Sequence, residues 1–179
     1  VINKKLTHED ILCAAGKLVQ SGIMNLRLYF MIGLPFETIR DVEAIVNLTT
    51  DIKAAFLEES RKKKKIGTIT LSINPFIPKP ATPFQWSPMN TQKELKQKAA
   101  VIRDGLKKTA NVKINFESFR NAKIHALLSL GDKNMADVIE YALDNSWSKA
   151  CKKYQSYCDD LIYRQKDINE HFAWEFINN

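Results

Sequence analysis

Leu26-Arg27-Leu28-Tyr29-Phe30-Met31-Ile32-Gly33-Leu34-Pro35-Phe36-Glu37-Thr38 holds a strand, a break and the approach to a helix. Its first part is rich in aromatic and apolar side chains, as a buried strand is. Gly33-Leu34-Pro35 interrupts it, because Gly frees φ while Pro fixes φ and removes a donor. Beyond the break, Val42, Ile45, Val46, Leu48, Thr49 and Ile52 recur at helical spacing and predict a helix over about 39–59. Upstream, Thr7 with Asp10 three residues on predicts a capped helix. Ile11, Leu12, Ala15, Leu18 and Val19 form its inner side, and Gly22 marks its end. Downstream, a basic run over 61–65 leads to a second strand over 67–74. Five prolines between Pro75 and Pro88 make a long, stiffened loop. Thr91 with Glu94 opens a helix to about 108, and a short strand follows at Val112–Phe116. The order α-β-α-β-α-β implies an α/β fold with a parallel sheet and right-handed crossovers.

From Ser118 onward the pattern is helical, over 119–130, 135–143 and 148–162, and ends in the aromatic stretch Phe172-Ala173-Trp174-Glu175-Phe176. The reading is therefore two parts, 1–117 and 118–179, with no internal repeat. Of the 179 residues 45% are hydrophobic, enough for a core. No apolar run approaches the roughly 18 residues of a membrane span, and the N-terminus lacks a signal peptide's apolar core. Three cysteines argue against a disulfide scaffold and point to a reducing, cytoplasmic setting. The net charge of +7 permits an anionic partner without demonstrating one.

Gly33-Leu34-Pro35-Phe36-Glu37-Thr38 lies at the carboxyl end of a strand, where open α/β sheets and barrels bind ligands. Gly allows close backbone approach, and a helix N-terminus attracts anions. An ordinary turn that needs Gly and Pro explains the same residues. The proline loop, with Phe76, Phe84, Trp86 and Lys79, reads either as a pocket rim or as a rigid connector. The basic run Arg61-Lys62-Lys63-Lys64-Lys65 offers phosphate contacts, yet without interleaved aromatics it reads more simply as solvated. Lys93, Lys96, Lys98, Arg103, Lys107 and Lys108 fall to the wet face of an amphipathic helix. Cys151 and Cys158 share one face of a predicted helix, and Cys13 is remote. No zinc-ligand spacing, catalytic triad, Walker loop or carboxylate dyad is present. His8, His125 and His171 are scattered.

Beyond these readings, Leu28-Tyr29-Phe30-Met31-Ile32-Gly33-Leu34-Pro35-Phe36-Glu37-Thr38 resembles the "yFMiGLPtET" strand and turn of radical S-adenosylmethionine (SAM) enzymes. Leu71-Ser72-Ile73-Asn74-Pro75-Phe76-Ile77-Pro78-Lys79-Pro80-Ala81-Thr82-Pro83-Phe84-Gln85-Trp86 is similar to the "lSinpFvPKPhTPFQW" segment of a subgroup that often carries an N-terminal cobalamin-binding domain. The stretch from Ala126 to Ile139, with Gly131-Asp132 at its centre, resembles that subgroup's "avLsrGDrrladvi". The resemblance implies part of a radical SAM (β/α) barrel with parallel strands, followed by a helical C-terminal extension. It implies a parent enzyme in which a [4Fe–4S] cluster reduces SAM to methionine and a 5′-deoxyadenosyl radical that abstracts hydrogen. Ile32, Gly33 and Leu34 become candidate contacts to the adenine side of SAM, and Phe76, Ile77 and Pro78 candidates near the same nucleoside. Cobalamin would lie outside this chain.

The family's Cys-x-x-x-Cys-x-x-Cys motif is absent, and Cys13, Cys151 and Cys158 do not reproduce it. The expectation is a C-terminal part whose partner is the N-terminal half of the same protein, inactive alone. A half-barrel would leave an edge and an inner face that invite self-association into a homo-oligomer. An RNA-modifying, methylthiotransferase-like enzyme is one version of the parent. A non-enzymatic, basic nucleic-acid-binding module is the competing class.

Overall fold

In the computed structural model, which describes residues 5–62, 64 and 66–176, Thr7 starts the first helix. Its hydroxyl accepts from the Asp10 N–H at 3.1 Å, and its own N–H donates to the Asp10 carboxylate at 3.0 Å, closing a capping box. Helix α1, His8–Gln20, ends where Gly22 turns to φ 95°. There the N–H groups of Gly22 and Ile23 donate to the carbonyls of Val19 and Leu18. The chain continues as β1 (Asn25–Ile32), α2 (Ile39–Lys62), β2 (Thr68–Pro75), α3 (Gln92–Leu106) and β3 (Val112–Phe116). Arg61 and Lys62 of the basic run close α2, while Lys63 and Lys65 lie outside the described residues.

The strands form one parallel sheet in the order β1-β2-β3, with Ile69, Leu71 and Ile73 opposite Val112, Ile114 and Phe116. Strand order follows chain order without a switch point, so right-handed crossovers put α2 and α3 on one face. Their closeness bears this out: a β-carbon on Gly105 of α3 would stand 2.7 Å from Val46 of α2. Leu26, Ile32, Ile69, Leu71 and Ile73 are buried on this side. Val42, Ile52 and Phe56 of α2 and Leu95, Ile102 and Leu106 of α3, none more than 3% exposed, complete the layer. Each such side chain contributes roughly 1.5–3 kcal/mol by leaving water.

The opposite face is polar and open. Arg27, Tyr29, Met31, Asn74, Lys113 and Asn115 are exposed, and Thr70 and Ser72 are half-buried. The stretch expected to be a fully buried strand is therefore buried on one side only, with Tyr29 at 71% exposure. The two-residue period of the pleat assigns alternate side chains to opposite faces whatever their composition. The sheet stays open: no barrel closes among the described residues.

Packing groups Val1–Asn74 with Lys93–Glu117 in one compact unit and Pro75–Gln92 with Ser118–Asn179 in another. The second unit contains α4 (Phe119–Leu130), α5 (Met135–Asp144), α6 (Trp147–Lys153) and α7 (Gln155–Tyr163). The single helix expected over 148–162 is thus two, broken at Tyr154. Tyr154 meets Tyr141 of α5 edge-on at 6.1 Å, and the Lys153 ammonium lies over both rings. These tertiary contacts outweigh local helical preference. No helix among the described residues is long and apolar enough to cross a membrane.

Candidate functional site

The turn after β1 is built around Glu37. Gly33 takes φ 81°, and its N–H donates to Glu37 Oε1 at 2.9 Å. The same carboxylate receives Lys98 Nζ of α3 at 2.7 Å, with the two side chains only 6% and 11% exposed. Lys98 therefore does not join the wet face of α3, as its charge had implied. It falls within the buried stripe Leu95, Ala99 and Ile102, where its methylene stem lies among apolar groups and its charge finds a carboxylate. Its spacing from Leu95 and Ile102 is the sequence signal that could have placed it.

Phe36, one residue earlier, sits at φ 64° and is 93% exposed. A non-glycine residue in this region costs roughly 1–2 kcal/mol, and no burial of the ring offsets it. Sequence reasoning did not single out Phe36. Thr38 N–H donates to Asp41 Oδ2 at 2.7 Å and the Thr38 hydroxyl accepts from Asp41 N–H at 3.4 Å. Hydrogen bonds from the Thr38 side chain and then its backbone hold the Asp41 carboxyl below its ordinary value. The positive end of α2 thus already holds an anion of its own. Ile32 is fully buried on the helical side. What the strand exit offers a ligand is the half-buried side chain of Leu34, beside the buried Gly33.

The loop after β2 is held differently. Phe76 is 6% exposed and meets Phe84 edge-on at 5.8 Å, Pro78 is buried and Ile77 is half-buried. Lys79 Nζ donates to Ser129 Oγ of α4 at 2.7 Å. Met89 N–H donates to the Ile162 carbonyl of α7 at 2.8 Å, and Lys166 N–H to the Trp86 carbonyl at 3.1 Å. The aromatic stretch closes on the loop: Trp174 Nε1 donates to Gln85 Oε1 at 2.8 Å, and Phe172 stacks on Trp174 at 4.6 Å and tilts against Trp86 at 6.2 Å. These ties favour the connector reading for residues 79–89 and leave Ile77 as the member of its triplet with side-chain surface to offer. Ile32, Gly33 and Leu34 belong to one compact unit and Phe76, Ile77 and Pro78 to the other.

Cys13 is exposed on α1, while Cys151 and Cys158 belong to the second unit. Burial, reinforced by the neighbouring Cys151, pushes the Cys158 thiol up to about 11, which disfavours the thiolate a metal needs. His8 pairs with Asp51 at 3.1 Å, His171 with Glu175 at 2.8 Å, and His125 is exposed. No group of three or more Cys, His, Asp or Glu side chains placed to hold a metal ion occurs among the described residues.

No known family model matches this chain, and no solved structure matches it. The chain is similar to an uncharacterized protein of Methanocaldococcus jannaschii, with 29% identity over 166 residues that cover 93% of the chain. Those residues cover 34% of the archaeal protein, so the chain spans about a third of the length of the relative it matches.

Proposed function

We propose that the chain is the later part of a radical SAM barrel with a helical extension. The parent enzyme cleaves SAM to methionine and a 5′-deoxyadenosyl radical. The observation that carries this reading is the exit of β1: a buried glycine at φ 81°, its N–H held by Glu37, at the carboxyl end of a parallel strand. Two features of the sheet support it. Strands in chain order with helices on one face are the winding of a barrel, not of a doubly wound sheet. The polar face formed by Thr70, Ser72, Asn74 and Asn115 suits a barrel interior that receives a polar substrate.

Within that reading, Gly33 lets the main chain approach the nucleoside of SAM. Leu34 gives it apolar surface, while Ile32 supports the turn from a buried position. Glu37 and Lys98 keep the turn in place. The residues of this chain do not fit a [4Fe–4S] cluster, since its cysteines are split between two units and one is a buried, raised thiol. The cluster's thiolates, and any cobalamin, belong to the remainder of a longer protein. Among the described residues the outer strands β1 and β3 each keep one edge without a neighbouring strand, and the proposed partner for them is the N-terminal half or a second copy. The test is anaerobic reconstitution of the full-length protein and an assay of SAM cleavage to 5′-deoxyadenosine. Gly33→Val should abolish cleavage; wild-type rates in that variant would remove the assigned role.

A second reading, a basic nucleic-acid-binding module, draws on the exposed Arg61, Lys62 and Lys64 and on Lys93, Lys96, Lys107 and Lys108 along and just beyond α3. It gains if RNA binding is strongly salt-dependent and SAM cleavage is absent.

A further inference from the structure

The second unit carries a concavity that the reading above does not use. Arg120 and Lys123 of α4, Trp147, Ser148 and Cys151 of α6, and Gln92 line it, around a volume of about 200 Å³. Enclosed small-molecule sites run from roughly 300 to 1,000 Å³, so this one takes a ligand that stays partly in water.

Three properties of the lining point to one ligand chemistry. First, it carries two cationic side chains, Arg120 and Lys123, three residues apart on α4 and hence on one side of the helix, of which Lys123 is paired with Asp159. Lys123 is fixed there, its ammonium 3.0 Å from Asp159 and over the Tyr163 ring at 5.1 Å, with 16% of the side chain exposed. Arg120 is exposed, and its guanidinium has no hydrogen bond or ion pair among the described residues. That leaves the planar fork available to a bidentate oxyanion. Second, Trp147 contributes a half-buried indole on which no other aromatic ring stacks among the described residues. An aromatic ring beside a cation is the combination that holds a base and its phosphate together. Third, the Ser148 hydroxyl and the Gln92 amide supply donors and acceptors able to meet a base edge.

We propose that this concavity is a nucleotide subsite, with the base on the Trp147 indole and the phosphate on Arg120 and Lys123. The nucleotide comes either as a free nucleoside monophosphate or as one unit of a single-stranded RNA. The subsite stands independently of the radical SAM reading, because none of its residues belongs to the β1 exit or the β2 loop.

The test follows tryptophan fluorescence of the full chain during titration with AMP, with ribose 5-phosphate and with a short single-stranded RNA. AMP should quench saturably, and the quench should vanish in Trp147→Phe although Trp86 and Trp174 remain. Arg120→Gln should leave the thermal unfolding curve unchanged and weaken AMP by about tenfold or more, the loss of one charge-assisted pair. Ribose 5-phosphate, which lacks a base, should bind at least about tenfold more weakly than AMP. RNA that binds more tightly than AMP, with strong salt dependence, identifies the polymer as the source; equal affinity identifies the free nucleotide. The proposal is overturned if neither AMP nor RNA gives a saturable quench, if ribose 5-phosphate binds as tightly as AMP, or if Arg120→Gln binds like the parent.

Discussion

The turn after β1 closes within a few residues and is held from inside by one carboxylate, Glu37, that serves both the Gly33 N–H and the Lys98 ammonium. The loop after β2 is held from outside, by Ser129, Ile162, Lys166 and Trp174. Both segments leave the carboxyl ends of adjacent parallel strands, the place where such sheets bind ligands, but they divide the work differently. The first concentrates its constraint in a single buried ion pair and leaves a strained, fully displayed phenylalanine at its tip. The second spreads its constraint over many ordinary contacts, although Lys79, Ala81 and Pro83 stay exposed and Ala81 too takes a positive φ of 54°. A turn kept in an uncommon conformation by one over-determined contact is what a ligand-facing segment requires. A loop sewn to its neighbours is what a connector requires.

The sharpest way to break this contrast is Glu37→Ala. It takes the carboxylate away from the buried Lys98 ammonium and from the Gly33 N–H, so unfolding stability should fall by about 3–5 kcal/mol in a denaturant titration. A loss below about 1 kcal/mol would mean that the ion pair does not hold the turn. Trp174→Ala removes one of several ties on the second loop, and about 1–3 kcal/mol should be lost. Limited proteolysis should then cut within 79–89 first. If cleavage stayed where it is in the parent, the aromatic stretch would not be what restrains the loop. Phe36→Gly addresses the strain alone, since an exposed ring gives up no packing. Stability should rise by up to about 1 kcal/mol, after allowing for the freedom that glycine adds to the unfolded chain. A clear loss would show that the ring is packed in solution.

The smallest effect belongs to the cap below the turn. Asp41 is held below its usual 3.8 by Thr38, so its contribution is present above that value and lost as pH falls through the lower folded value. Thermal unfolding scans at successively lower pH should show a shallower acid loss in Asp41→Ala than in the parent. Identical slopes would mean that the cap does not form in solution.

Much of the fold was legible in the residues themselves. Thr7 and Asp10 announced α1 because a hydroxyl and a carboxylate three residues apart can only satisfy the free N–H groups of a helix start from there. The α-β-α-β-α-β order and the Phe119–Leu130 helix were likewise readable as changes between a period near 3.6 and a period of two. The motif around Gly33 was legible as a strand exit, yet the partner of Glu37 was not. Lys98 is distant in sequence, and a lysine is by default a solvated residue. The break at Tyr154 escaped for the same reason, since the ring it meets is on another helix.

Local chemistry thus determined where each helix and strand begins, because caps, glycines and periodicity act over three or four residues. Only the tertiary structure decided three further matters. It set one face of the sheet against helices and left Tyr29 in the open. It turned Lys98 from a surface charge into a buried counter-ion. It brought Arg120 and Trp147 to the wall of one concavity. Burial and charge pairing are properties of neighbours in space, and those neighbours exist only once the chain has folded.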